Sequence, residues 1–104
     1  KGMAVYGATK AFLNYYSLAL QAELVGTGIE VQALCPGFTR TEFHDPMADN
    51  GFDRTRVPEQ MWMAADTVVA ASLAALGSEQ VLVVPGEDNP GFARMGLQQQ
   101  LDTL

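Results

Sequence analysis

Ile29-Glu30-Val31-Gln32-Ala33-Leu34-Cys35-Pro36-Gly37 is the stretch whose reading decides the fold. It opens with apolar and polar residues in alternation and closes on a continuous apolar run, the pattern of a strand whose far end enters a core. Pro36-Gly37 ends it, since proline has no N–H for a ladder and glycine permits the turn. A second short apolar run, Val81-Leu82-Val83-Val84, is also followed by Pro-Gly, at Pro85-Gly86. It has the composition of a strand buried on both faces. Between the two runs, Ala65 to Leu76 is rich in Ala and Val, with Asp66 in its first turn and Gly77 just past its end. That stretch predicts a helix that packs rather than faces water. A strand, a helix and a strand in succession make a βαβ unit, so the strands are expected to be parallel, with a right-handed crossover.

Before this unit, Ala8 to Val25 holds no Pro or Gly and is dominated by Ala, Leu, Gln and Glu, which predicts a helix of several turns stopped by Gly26 and Gly28. At about 100° per residue, Tyr6, Lys10, Asn14, Ser17 and Gln21 share one narrow polar stripe. Phe12, Leu13, Tyr15, Leu18, Ala19, Ala22 and Val25 cover much of the remainder, so the helix needs cover on more than one side. Residues 38 to 57 contain Asp45-Pro46, Asp49-Asn50-Gly51 and Phe52-Asp53 without a sustained period, which reads as a long loop with room for one helical turn. Loops of that length in compact domains usually have a job. Pro58-Glu59 opens a short turn, and Phe92 to Leu101 reads as a frayed terminal helix. The order is therefore helix, strand, loop, helix, strand, tail: an α/β arrangement without internal repeats or low-complexity tracts.

Composition excludes several function classes. With 6 Lys plus Arg against 12 Asp plus Glu, the net charge of −6 lacks the basic footprint of a nucleic-acid binder. The single cysteine, Cys35, cannot form an intrachain disulfide and fits a reducing compartment, so a cytoplasmic location is expected. Val68 to Leu76 is the most apolar helical stretch and falls well short of the ~20 residues that cross a bilayer. No membrane association is expected, and no signal-peptide pattern is visible. A chain of 104 residues buries only about 60 to 65% of its unfolded surface, so an uncovered apolar face weighs heavily on stability and association is expected.

Two motifs carry chemistry. Tyr6-Gly7-Ala8-Thr9-Lys10 puts a phenol and an ammonium four residues apart on one helical face, where the positive charge favours an ionised phenol. Such a pair is a usable acid or base. Taken alone, the spacing is weak and reads first as the ordinary Tyr and Lys of an amphipathic first turn. Pro36-Gly37-Phe38-Thr39-Arg40-Thr41 follows a buried-type strand, and in open α/β sheets ligands bind beyond the carboxyl ends of strands. There the turn's backbone can approach a flat ring, and Thr39 and Thr41 offer hydroxyls. Seen alone, this is also a plain strand-ending turn.

Together, with one long helix and one strand between them, the two motifs resemble the short-chain dehydrogenase/reductase family. The resemblance runs from Val5 to about Phe92: Tyr6-Gly7-Ala8-Thr9-Lys10-Ala11-Phe12 is similar to its Tyr-x-x-x-Lys segment. Leu20-Gln21-Ala22-Glu23-Leu24, Gly28-Ile29-Glu30-Val31 and Cys35-Pro36-Gly37-Phe38-Thr39-Arg40-Thr41-Glu42-Phe43 continue it in register. Val84-Pro85-Gly86 with Asn89 nearby is similar to a bacterial subgroup of broadly described short-chain reductases.

The resemblance implies the C-terminal part of a Rossmann-like, doubly wound parallel sheet spanning residues 1–104, and an NAD(P)-dependent oxidoreductase that reduces a carbonyl or oxidises an alcohol by hydride transfer. Tyr6 would be the general acid/base, and Lys10 would hold the nicotinamide ribose hydroxyls. Pro36, Gly37 and the backbone of Thr39 would line the nicotinamide, and Thr41 would reach the carboxamide or pyrophosphate. The family more often has Val or Ile where Thr39 stands, a change that a backbone contact survives. Residues 42–57 would cover the substrate, with Phe43, His44, Met47, Phe52, Met61 and Trp62 as candidate contacts.

The family's Gly-rich turn, its Asn on the fourth helix and its Ser about a dozen residues before the Tyr would all precede Lys1. The glycines of this chain do not fall in a Gly-x-Gly-x-x-Gly pattern between a strand and a helix. The 104 residues by themselves are therefore expected to hold the cofactor, NAD or NADP, weakly or not at all, and to be inactive. His44, the single histidine, has no partners for a metal or triad role, and Asp45, Asp49 and Asp53 are not spaced as a calcium loop. Two readings follow: an oxidoreductase, or a truncated member that acts only as an oligomerising module. Two strands alone make a marginal sheet, so a homodimer or homotetramer is expected, with helix 8 to 25 against its symmetry mate.

Overall fold

The computed structural model describes residues 3–41 and 53–104. Helix α1 runs Met3–Glu23, five residues longer at its start than the Pro- and Gly-free stretch, because the good helix formers on either side of Gly7 carry the helix through it. It stops where Gly26 and Gly28 take left-handed backbone at φ 82° and 78°. The Thr27 hydroxyl donates to the Leu24 carbonyl (2.6 Å) and accepts from the Ile29 N–H (3.2 Å), which satisfies groups left over at the helix end.

Strand β1 (Ala33–Leu34) pairs in parallel with β4 (Leu82–Val83) in the register Ala33 to Leu82 and Leu34 to Val83. Their ladder begins at the Ala33 N–H to Val81 carbonyl bond (2.8 Å) and ends at Cys35 N–H to Val83 carbonyl (2.8 Å). The parallel pairing agrees with the βαβ expectation, but both strands are shorter than their apolar runs. Residues 29 to 32 lie outside the ladder for a visible reason. The Val31 N–H is taken by Gln21 Oε1 (2.6 Å), Gln21 Nε2 donates to the Ile29 carbonyl (3.4 Å), and the Gln32 side chain is engaged with Ser72 on the next helix. The Gln21 side chain thus takes backbone groups of this segment that a neighbouring strand would otherwise use.

Helix α2 (Ala65–Ala74) has its C-cap at Ala75, so Gly77 stands one position beyond the expected C′; it takes a left-handed φ of 78°, and its N–H donates to Glu30 Oε1 at 2.9 Å. Only one of its faces packs. Val68 is buried, as is Val83 on β4, while Val69 and Leu73 are exposed, which narrows the expected wholly packed helix to a single inward stripe. Sequence patterning missed a second parallel pair, β2 (Thr39–Arg40) with β3 (Met63–Ala64), preceded by short 3₁₀ turns at Arg54–Arg56 and Glu59–Met61. Two-residue strands are too short to show a period. The C-terminal helix α3 spans Asn89–Leu101, starting three residues ahead of expectation because Pro90 suits a first turn. The described architecture is mixed α/β with two small parallel sheets. No described helix is long and apolar enough to cross a membrane.

Candidate active site

A cleft of about 780 Å³ opens at the carboxyl end of β1. One wall is the polar stripe of α1, with Tyr6, Lys10, Asn14 and Ser17; its floor is Ala33 to Cys35; and the first turns of α2, with Ala65, Val68 and Val69, form the opposite wall. Pro36, Gly37, Thr39 and Thr41 rim the mouth. The six residues to which the sequence assigns catalytic or cofactor-binding roles are thus gathered in one hollow, although they come from segments up to 35 positions apart.

Helical spacing aligns the first pair. Lys10, one turn after Tyr6, folds back so that its Nζ lies 5.5 Å from the centre of the Tyr6 ring. Gly7 and Ala8 between them leave the helix surface open at this point, and Thr9 turns its hydroxyl onto the Tyr6 carbonyl at 2.7 Å. The ring of Tyr6 is about half exposed, at 46%. A phenol reachable from solvent with an ammonium alongside can exchange a proton with a ligand lying in the cleft.

Deeper in, Cys35 sits on the floor with Sγ 3.5 Å from Asn14 Oδ1. Burial pushes its thiol above the ordinary range, and the positive charge of Lys10 acts in the opposite direction. A thiol held neutral in this way is a packing group rather than a nucleophile. Asn14 and Ser17 line the cleft without having been assigned a role from sequence. The available signal was their place on the stripe of Tyr6 and Lys10, one and two turns further on.

The turn at the mouth is held from behind. Thr39 Oγ1 donates to the Gly37 carbonyl at 3.1 Å, and the Met63 N–H donates to the Phe38 carbonyl at 2.8 Å, which ties the turn to β3. Arg40 on β2 pairs with Glu59 on the surface. Met61 and Trp62, expected as substrate contacts, are not among the residues lining the cleft. Trp62 packs its ring 5.5 Å from that of Phe38, with the Arg54 guanidinium 5.0 Å from its centre. Phe43, His44, Met47 and Phe52 lie outside the described residues. A second hollow, of about 550 Å³, lies between the C-terminal ends of α1 and α2 and contains none of the predicted site residues.

Residues 1–50, which include Tyr6, Lys10 and the turn at Pro36, match the family model for short chain dehydrogenase. The chain is 50% identical over 42 residues to a sulfoacetaldehyde reductase of Chromohalobacter salexigens, and equally so to a serine 3-dehydrogenase of Agrobacterium fabrum, which is 40% of this chain and 17% of each relative. It is 45% identical over 49 residues to a probable NADP-dependent dehydrogenase of Haemophilus influenzae, 41% of this chain and 19% of that protein. The chain thus spans less than a fifth of the length of the curated relatives it matches. No solved structure matches it. Over the matched residues the chain is similar to short chain dehydrogenases and to reductases and dehydrogenases of that kind.

Proposed function

We propose that the chain supplies the proton-transfer side of an NAD(P)-dependent oxidoreductase that interconverts a small carbonyl compound and its alcohol. The observation that carries this reading is the placement of the Tyr6 phenol and the Lys10 ammonium in the same cleft as the Pro36-Gly37 turn, beyond the carboxyl end of a parallel strand. In a doubly wound parallel sheet, of which these two short strands would be a part, that is where a nucleotide lies.

The residues present fit a nicotinamide riboside. The cleft is large enough, Gly37 presents backbone without a side chain, and Lys10 offers three N–H donors to adjacent ribose hydroxyls. Pro36, Gly37 and Thr39 would flank the ring and Thr41 would reach towards its carboxamide or the pyrophosphate. When bound, the cofactor supplies or accepts the hydride. Tyr6 gives its phenolic proton to the carbonyl oxygen during reduction and takes the hydroxyl proton during oxidation. Lys10 would hold the ribose beside it, and Val68 and Val69 would offer an apolar wall across the cleft. The reductase and dehydrogenase names of the relatives support the same reaction class, and one of them names NADP. Titration of the protein as its gene encodes it with NADH and NADPH, followed by tryptophan fluorescence and by thermal shift, tests the reading. Saturable binding of either nucleotide is expected, and no response to both rejects it.

A second reading, an oligomerising module without catalysis, is favoured by one observation. Helix α1 leaves Phe12, Tyr15 and Tyr16 exposed at 66%, 76% and 53%, with Phe12 and Tyr16 stacked at 6.0 Å, a band of aromatic surface that demands cover. Under that reading a homodimer or homotetramer forms through α1. A monomeric mass in light scattering at micromolar concentration rejects it.

A further inference from the structure

Both ladder strands end in Pro-Gly, at Pro36-Gly37 after β1 and Pro85-Gly86 after β4, and one side chain lies against both turns. Asn89, at the start of α3, donates its Nδ2 to the Pro85 carbonyl at 2.8 Å and lies 3.6 Å from Met63 Sδ. A Cβ on Gly37 would come within 2.7 Å of that same Nδ2, and a Cβ on Gly86 within 2.5 Å. The carboxamide therefore occupies the space that two missing side chains leave open, and joins the ends of two neighbouring strands at one point. Met63, the third group at this point, pairs with Thr39 in the β2 and β3 ladder, so the turn at the cleft mouth is gripped on its far side by residues from three segments.

We infer that Asn89 is a positioning residue for the cleft: its carboxamide locks the Pro36-Gly37 turn to the end of β4 and so fixes the backbone edge against which a nicotinamide ring rests. The inference rests on the nucleotide reading of the cleft proposed above and extends it to a residue that does not line the cleft. Asn89 serves by shape and by donation together. Ala at this position leaves the Pro85 carbonyl without its donor and a void beside Gly37, while Gln is one methylene too long for the space between two glycines. With the lock gone, Gly37 regains backbone freedom, and a ring bound against it must order the turn again.

The test uses the protein as its gene encodes it, with two probes: NADPH or NADH, whichever the wild type binds more tightly, and ADP-ribose (its 2′-phosphate for NADPH), which carries the adenine end and no nicotinamide. For Asn89→Ala and Asn89→Gln, the Kd for the reduced cofactor is expected to rise roughly five- to tenfold, the equivalent of one lost hydrogen bond, while that for the ADP-ribose probe stays within twofold. General damage to the fold would weaken both probes equally, so equal losses overturn the inference. An unchanged cofactor Kd in variants whose circular dichroism matches wild type overturns it as well. If the wild type bound neither NADH nor NADPH, the nucleotide reading itself would fall; if it bound one of them and the variants matched it, only the role of Asn89 would.

Discussion

The contact between Asn89 and the two glycines can be tested by stability as well as by binding. Gly37 has no left-handed backbone requirement, so Gly37→Ala introduces one conflict only: the new Cβ lies 2.7 Å from Asn89 Nδ2 and expels the carboxamide from its bond to the Pro85 carbonyl. Losing that bond costs about 1 kcal/mol, and the loss is largely offset by the roughly 0.4–1 kcal/mol gained when Ala restricts the unfolded chain. The net change is expected to be near zero. In an Asn89→Ala background, the conflict is gone and the same substitution is expected to stabilise by roughly 0.4–1 kcal/mol, giving a coupling of about 1 kcal/mol between the two sites. Gly86 differs because its φ is 104°, where an L side chain is strained, and because a Cβ would also approach Met63 Sδ to 3.3 Å. Gly86→Ala is expected to destabilise by roughly 2–3 kcal/mol, and still by about 1–2 kcal/mol once Asn89 is Ala, since the strain remains. Urea unfolding reports all of these through Trp62, the single tryptophan, whose ring packs on Phe38 next to the turn. Additive effects of Gly37→Ala and Asn89→Ala, or a Gly86→Ala variant as benign as Gly37→Ala, would refute the reasoning.

Three further outcomes are expected. In the protein as its gene encodes it, Tyr6→Phe should lower turnover of a carbonyl substrate by about 10²–10⁴-fold while leaving NADH or NADPH affinity nearly unchanged; persistent turnover would show that another group moves the proton. Ser72→Ala should destabilise by about 1–2 kcal/mol in urea, because it removes the hydroxyl that bonds the Gln32 side chain and leaves that amide half satisfied; a change below about 0.3 kcal/mol would mean that water replaces it freely. The folded-state pKa of Cys35 lies above its unfolded value of 9.0 because burial disfavours the thiolate, so the native state holds the proton longer than the unfolded state does. Its contribution is fully present below pH 9 and is lost as pH rises beyond it. Comparison with Cys35→Ala should show a steeper loss of wild-type stability above pH 9, and identical slopes would contradict it.

How far the sequence carried the fold can be seen at particular residues. Gly26, Gly28 and Gly77 were legible as helix stops because each sits where a helical pattern ends, and all three adopt the left-handed backbone that only glycine takes freely. Tyr6 and Lys10 were legible as a pair because helical geometry alone brings residues four apart together. Alternation over residues 29 to 32 predicts a strand, but the Gln21 side chain binds backbone groups 8 and 10 positions away, and no local pattern announces such a competitor. Met61 and Trp62 carry no local signal of the packing that Trp62 makes with Phe38 and Arg54, residues 24 and 8 positions away.

By itself the sequence determined what is local: helix stops, the alignment of Tyr6 with Lys10, the two apolar runs closed by Pro-Gly, and the acidic charge balance. Only the tertiary structure decided that the Tyr6 stripe faces the Pro36 turn across one cleft, that a second parallel pair holds Thr39 to Met63, and that Asn89 fills the space above two glycines. The physical reason is range. Backbone preference and periodicity act within a turn or two of chain, whereas strand pairing and the filling of a gap beside a glycine depend on segments tens of residues away, whose distance is set only when the whole chain has folded.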